Sequence, residues 1–230
     1  MPDALHAASD PTTPPEVLAE LAQRDDEAVV RAVAGNPNAT VEDLLLLAAR
    51  YPQEVEGNPA FMLGLATDPE ALERAYQRNP EPVVALARVA SGILRDQLIN
   101  GDLERAQVAL AYRDDLNPDE LARLARHNHS LLAVVVANPQ APREALEAAA
   151  GAPDPTIRER AASHPRADVD LLQRLARDPH PWVAAAVASN PNTPTQLLWE
   201  FAQRPEKAVK RAVLARPDCP PLMRSSLEAS

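Results

Sequence analysis

The chain has 230 residues, 24 of them proline and only 6 glycine, so its breaks are stiff turns and not flexible linkers. Aromatic residues make up 3%, which leaves Leu, Val and Ala to build any core. One cysteine, Cys219, excludes an intramolecular disulfide framework and any multi-cysteine metal site, and no run of about 18 apolar residues offers a membrane span.

The formal net charge of −10 is unevenly placed. Residues 1–112 hold 18 Asp/Glu against 8 Lys/Arg, while residues 113–230 hold 15 of each. The acidic half argues against nucleic acid there. The N-terminal MPDALHAASD has neither a basic start nor a long apolar run, so no signal peptide is expected and the location implied is cytoplasmic.

Apolar positions recur in a two-part unit. Residues 5–9 resemble the end of a second helix. A full unit then runs from Pro11 to Gly35, with Leu18, Leu21 and Ala22 in a first helix and Val29 and Val33 in a second. Asn36-Pro37 opens the next, with Leu44, Leu47 and Ala48, but its second half, YPQEVEG, is too short for a full helix. Between Asn58-Pro59 and Tyr112 the units are compressed or degenerate. Leu94 and Leu98 fit a first helix there, and Ala106 and Leu110 a second. Regularity returns after Arg113-Asp114. Pro139, Pro165, Pro191 and Pro217 follow one another at steps of 26. The first-helix leucines are Leu121, Leu146, Leu172 and Leu198, and a small residue recurs four later at Ala125, Ala150, Ala176 and Ala202. The array divides into regular repeats over 1–50, degenerate ones over 51–112, regular ones over 113–216 and a half-repeat cap over 217–230. All belong to a single repeat domain.

The spacing predicts an all-α solenoid of about eight two-helix units, each of roughly 21–26 residues. Leu at i and i+3 with Ala at i+4 shares one helical face, and the alanine column implies that equivalent helices stack closely. The second helices read as short, either α or 3₁₀. Asp68, Asp154 and Asp178, each before proline, are expected N-caps. Asn36, Asn58, Asn79, Asn138 and Asn190 stand before proline where one unit passes to the next. They are expected to form a ladder bonding the backbone of adjacent turns, with His164 and Arg113 taking the same place in two units.

The stretches 9–37, 164–191 and 190–217 share Asn-Pro or its substitute, a Leu-x-x-Leu/Phe-Ala core, a break, then Val-x-x-x-Val or its equivalent. This pattern resembles the leucine-rich repeat variant motif. The resemblance implies alternating α and short, often 3₁₀, helices in two layers of a right-handed superhelix, closer to armadillo and HEAT arrays than to β-containing leucine-rich repeats. It brings no catalytic residues. Some members carry a cysteine cluster holding an iron-sulphur centre, a feature that Cys219 alone cannot supply.

No serine–histidine–aspartate arrangement or phosphate-binding loop is visible, so neither enzyme activity nor a cofactor is expected. His127-Asn128-His129 lacks the further ligands that a metal site needs. Trp182 and Trp199 occupy columns that tolerate polar residues elsewhere, and exposed tryptophan favours binding. Arg158, Lys207, Lys210 and Arg211 fall on second helices and could form a basic stripe. The reading is a non-enzymatic scaffold engaging a protein or peptide. The alternative is a helical-repeat protein binding nucleic acid through its C-terminal half.

Overall fold

Each repeat is built from a leucine-bearing first helix and a valine- and alanine-bearing second helix. The computed structural model describes residues 3–127 and 129–228, and among these it holds helices and turns but no strand. The helices group into two compact units, Met1–Arg113 and Asp114–Ser230.

The N-terminal unit contains α1 (Ala4–Ser9), α2 (Pro15–Leu21), α3 (Glu27–Gly35), α4 (Val41–Leu47), α5 (Pro52–Glu56), α6 (Pro59–Thr67), α7 (Ala71–Arg78), α8 (Pro80–Ala87), α9 (Gly92–Asn100) and α10 (Glu104–Ala111). In the C-terminal unit, α11 (Pro118–His127) leads through a 3₁₀ turn (His129–Leu131) into α12 (Leu132–Val135). Then come α13 (Arg143–Ala150), α14 (Pro155–Ser163), α15 (Val169–Leu175), α16 (Pro181–Ser189), α17 (Thr195–Ala202), α18 (Lys207–Ala215) and α19 (Pro221–Glu228). None of these helices is long and apolar enough to cross a membrane.

Second helices pack most closely. In one unit α1, α3, α5, α8 and α10 stack in that order, and in the other α12, α14, α16 and α18 do. The cause is a wide apolar stripe. Val29, Val30, Val33 and Ala34 are all buried on α3, as are Val183, Ala184, Val187 and Ala188 on α16. One side meets the first helix of its own repeat, and the other meets the neighbouring second helices. First helices bury a narrower face, such as Leu18 and Leu21 or Leu172 and Leu175.

One expectation is narrowed and two change in detail. The regular second helices α3, α14, α16 and α18 are α-helical over nine residues each, longer than the seven of α2, α4 and α15. Burial on two sides offsets the weakness of a short isolated helix. The alanine column is uneven: Ala48 and Ala176 are buried, while Ala22, Ala125, Ala150 and Ala202 are half-buried. Of the three Asp-Pro pairs, only Asp154 caps the helix that its proline begins, accepting from Thr156 N at 2.8 Å. Asp68 ends α6 and pairs with Arg74, and Asp178 stands two residues before the cap position of α16.

The ladder forms. Asn36 Nδ2 donates to Ala8 O and Asp10 O at 2.8 and 2.9 Å. Asn58 donates to Ala34 O and Asn36 O, both at 2.9 Å. Asn190 donates to Ala162 O at 2.7 Å and His164 O at 3.0 Å. Each thus donates to two carbonyls at the end of the previous repeat: one in the last turn of a helix (Ala8 O, Ala34 O, Ala162 O), and one (Asp10 O, Asn36 O, His164 O) that also accepts from the main-chain N–H three residues on. Its own Oδ1 turns back to a main-chain N–H two residues on, as in Asn38 N to Asn36 Oδ1 at 2.9 Å. Arg113 reaches Ala87 O and Ala90 O at 3.0 and 2.9 Å. Asn79 is the exception. It is exposed and only caps α8, accepting from Glu81 N at 3.1 Å. Arg216, in register with the ladder at Pro217, donates to Ala188 O at 3.1 Å and also to Asn190 O.

Candidate binding surface

The ladder fixes the register of the C-terminal unit, because the carbonyls that it reaches lie 26 and 28 residues back. Residues 26 apart therefore occupy equivalent places on neighbouring helices. In that register Trp182 lies between Thr156 on α14 and Ala208 on α18, two small side chains. It stands 64% exposed in the first turn of α16, with the His180 ring edge-on at 4.9 Å and 64°. Lys207 and Arg211 are exposed one turn apart on α18, and Lys210 between them is half-buried. Among the described residues neither Lys207 nor Arg211 makes an ion pair, although most other arginines of the second helices do. Arg31 meets Glu27 and Glu54, and Arg105 meets Glu81.

Arg158 does not join this surface. Its guanidinium turns inward and donates to Asp178 at 2.6 and 3.1 Å and to Ala152 O and Pro153 O at 2.9 and 2.8 Å. Only 15% of the Arg158 side chain and 6% of that of Asp178 are exposed. Burial alone raises the Asp178 carboxyl, but the Arg158 hydrogen bonds and the His180 N–H outweigh it and hold the group below the usual carboxylate range. The pair ties α14 to the turn before α16. It satisfies a column position that sequence alone presents as a free charge.

Trp199 sits on the other layer, on α17, and is 41% exposed. First helices part from one another and leave grooves. That between α15 and α17 has a volume of about 290 Å³, with Ala176 and Arg177 on one wall and Leu197 and Phe201 on the other. Arg204 lines its end, stacked 5.1 Å over Phe201 and donating to Ala176 O at 2.6 Å. A second groove of about 340 Å³ runs between α11 and α13, floored by Ala122, Ala125, Ala145 and Ala148. Of these alanines, Ala125 and Ala176 were visible in the sequence as members of a column. Their consequence is space between first helices, not closer contact. The side chains of His127 and His129, and the whole of Asn128, lie outside the described residues. Among those that are described, no group of three His, Cys, Asp or Glu side chains is placed to hold a metal.

Comparison with known proteins agrees with this geometry. Residues 2–60 match the family model for the leucine-rich repeat variant domain. Over that stretch the chain is similar to leucine-rich repeat variant repeats. A solved structure described as "a leucine-rich repeat variant with a novel repetitive protein structural motif" matches 92% of this chain and 79% of its own, with a TM-score of 0.53 and 22% identity. That likeness shows a helical-repeat fold over 92% of the chain, including the C-terminal stretches beyond residue 60. No curated protein matches.

Proposed function

We propose that this helical-repeat protein, similar over residues 2–60 to the leucine-rich repeat variant domain, is a non-enzymatic scaffold that engages a protein or peptide partner. The observation that carries the reading is the exposure of both tryptophans, 64% for Trp182 and 41% for Trp199, in a chain that is only 3% aromatic. Large aromatic side chains left outside a core that is short of them favour contact with a partner. Stacked repeats support it further, because they present equivalent side chains at regular intervals along an extended face. The proposal includes a cytoplasmic location, since a chain with one cysteine draws nothing from an oxidising compartment.

The test is affinity capture from the source cell lysate at low and raised salt, with and without nuclease, using wild type and a Trp182→Ala/Trp199→Ala variant. A protein retained by wild type after nuclease at raised salt, and lost by the variant, supports the scaffold. Recovery of nucleic acid that disappears as salt rises supports the nucleic-acid alternative instead.

A further inference from the structure

Both lysines of this chain, Lys207 and Lys210, lie on α18, and that helix carries no carboxylate. Lys207 and Arg211 are four residues apart, exposed and without ion pairs among the described residues. Like charges at that spacing weaken a helix. Elsewhere in the protein the same spacing is used for attraction: Arg31 with Glu27, Arg74 with Glu70 and Arg143 with Glu147. On α16, alongside, there is no charge at all, and its outer face shows Trp182 above Ala185 and Ser189. In the 26-residue register Lys207 neighbours Pro181, and Arg211 neighbours Ala185. A floor of small side chains therefore carries one projecting indole, with two exposed cations beside it.

We propose that the outer face of α16 and α18 docks an extended acidic peptide segment, with Trp182 as the apolar anchor and Lys207 and Arg211 meeting its carboxylates. This rests on the scaffold reading and names the face and the chemistry of the partner. The charge complementarity is local: the protein as a whole is at −10, and this face is cationic. Glu206, at the cap position of α18 beside Lys207, is the nearest carboxylate; it is half-buried, with its Oε2 shielded from solvent. Asp154 is occupied in capping α14 through Thr156 N, and Asp178 by Arg158. Glu159, in register with Arg211, is half-buried one helix further away.

A peptide fits this face better than a nucleic acid does. Single strands are held by a track of cations with successive aromatic platforms. Here a single tryptophan projects, α16 supplies no cation, and the acidic body of the protein repels a densely charged polyanion. A peptide that alternates carboxylates with apolar residues matches both the indole and the cations at short range.

The experiment uses the full chain with Trp199→Phe, so that Trp182 is the lone tryptophan reporter. It is titrated with a short peptide of alternating glutamate and alanine with a central phenylalanine, with the glutamine counterpart of that peptide, and with oligo(dT). Amine labelling read by mass spectrometry follows Lys207. The acidic peptide is expected to change Trp182 emission and to protect Lys207, and raised salt should weaken it. Lys207→Glu with Arg211→Glu should weaken it by about tenfold. Gln at both positions serves as the milder variant, with circular dichroism to verify the helix. Equal binding of the glutamine peptide, tighter binding of oligo(dT), or unchanged binding by both variants overturns the proposal. If the lysate partner is captured equally by wild type and by the double Glu variant, this inference falls and the scaffold reading stands. If neither captures a protein, the scaffold reading falls.

Discussion

Buried asparagines at repeat junctions, Asn36, Asn58 and Asn190, each tie two stretches of backbone from the previous repeat. Asn190 holds Ala162 O and His164 O with one amide group, whereas exposed Asn79 holds only the start of α8. Asn190→Ala should therefore cost roughly 2 kcal/mol, because Ala162 O loses its side-chain donor in a dry junction while His164 O keeps the Ala167 N–H. Asn79→Ala should cost about 1 kcal/mol, the loss of a cap. Urea unfolding of the two variants measures the difference, and equal costs would rule out the ladder as a source of stability. His164 plays the same part by other means. Its Nδ1 accepts from Arg166 N at 3.1 Å, so the proton lies on Nε2, which donates to Asn138 O at 3.1 Å. A second proton at Nδ1 would face the Arg166 N–H. Burial pushes the imidazole below its usual value, its bond to Asn138 O pulls the other way, and the Arg166 charge adds to the lowering. The folded state thus resists a proton that the unfolded state accepts. This contribution to stability is present above about pH 6.5, the ordinary imidazole value, and is lost as pH falls through the lower folded value. His164→Asn should keep the junction and flatten that part of the pH–stability curve, as measured by thermal melts across pH 5–8.

Helices in these repeats are short, and their positions are set by how closely neighbours approach. At α6 the approach to α4 leaves no room for a side chain at Gly64. A Cβ added to Gly64 would lie 2.0 Å from Val41 Cγ2 at the start of α4. Gly64→Ala forces the two helices apart and should cost about 1–3 kcal/mol despite the better helix propensity of alanine. Val41→Ala in the same chain should recover part of the loss. Recovery in the double variant, by chemical denaturation, is the outcome that separates a steric clash from a general loss of packing. The second helices illustrate the converse. Their Val and Ala side chains occupy little volume, so helices stack closely and their short length ceases to be a liability. The first helices bury bulkier leucines toward the interior and stand apart at their outer alanines, which leaves the grooves.

Energy in a repeat array is shared chiefly between neighbours. Loss of one ladder side chain should therefore spread only as far as the helices it touches. Asn190→Ala is expected to raise amide exchange in α14, α16 and α18, while α3 keeps its wild-type protection. Hydrogen exchange read by mass spectrometry resolves the two, and a uniform increase along the chain would show a single cooperative unit instead.

The repeat, its period and the identity of the ladder were legible in the sequence, because stacking demands the same residue types at the same interval. Proline marks each junction, leucine and valine mark each buried face, and the steps of 26 state the register directly. His164 and Arg113 were legible as stand-ins for asparagine, and Arg216 could have been found from its place before Pro217. The helix pairs that pack closest were not legible, since an alanine column reads the same whether it closes a gap or leaves a groove. Nor was the fate of the charges. Arg158 and Lys210 share a column in the sequence, yet Arg158 turns inward to Asp178 while its neighbours on α18, Lys207 and Arg211, stay free in solvent. Spacing along one helix assigns a side chain to a face. Only the tertiary structure decides whether an opposite charge from another repeat is waiting there.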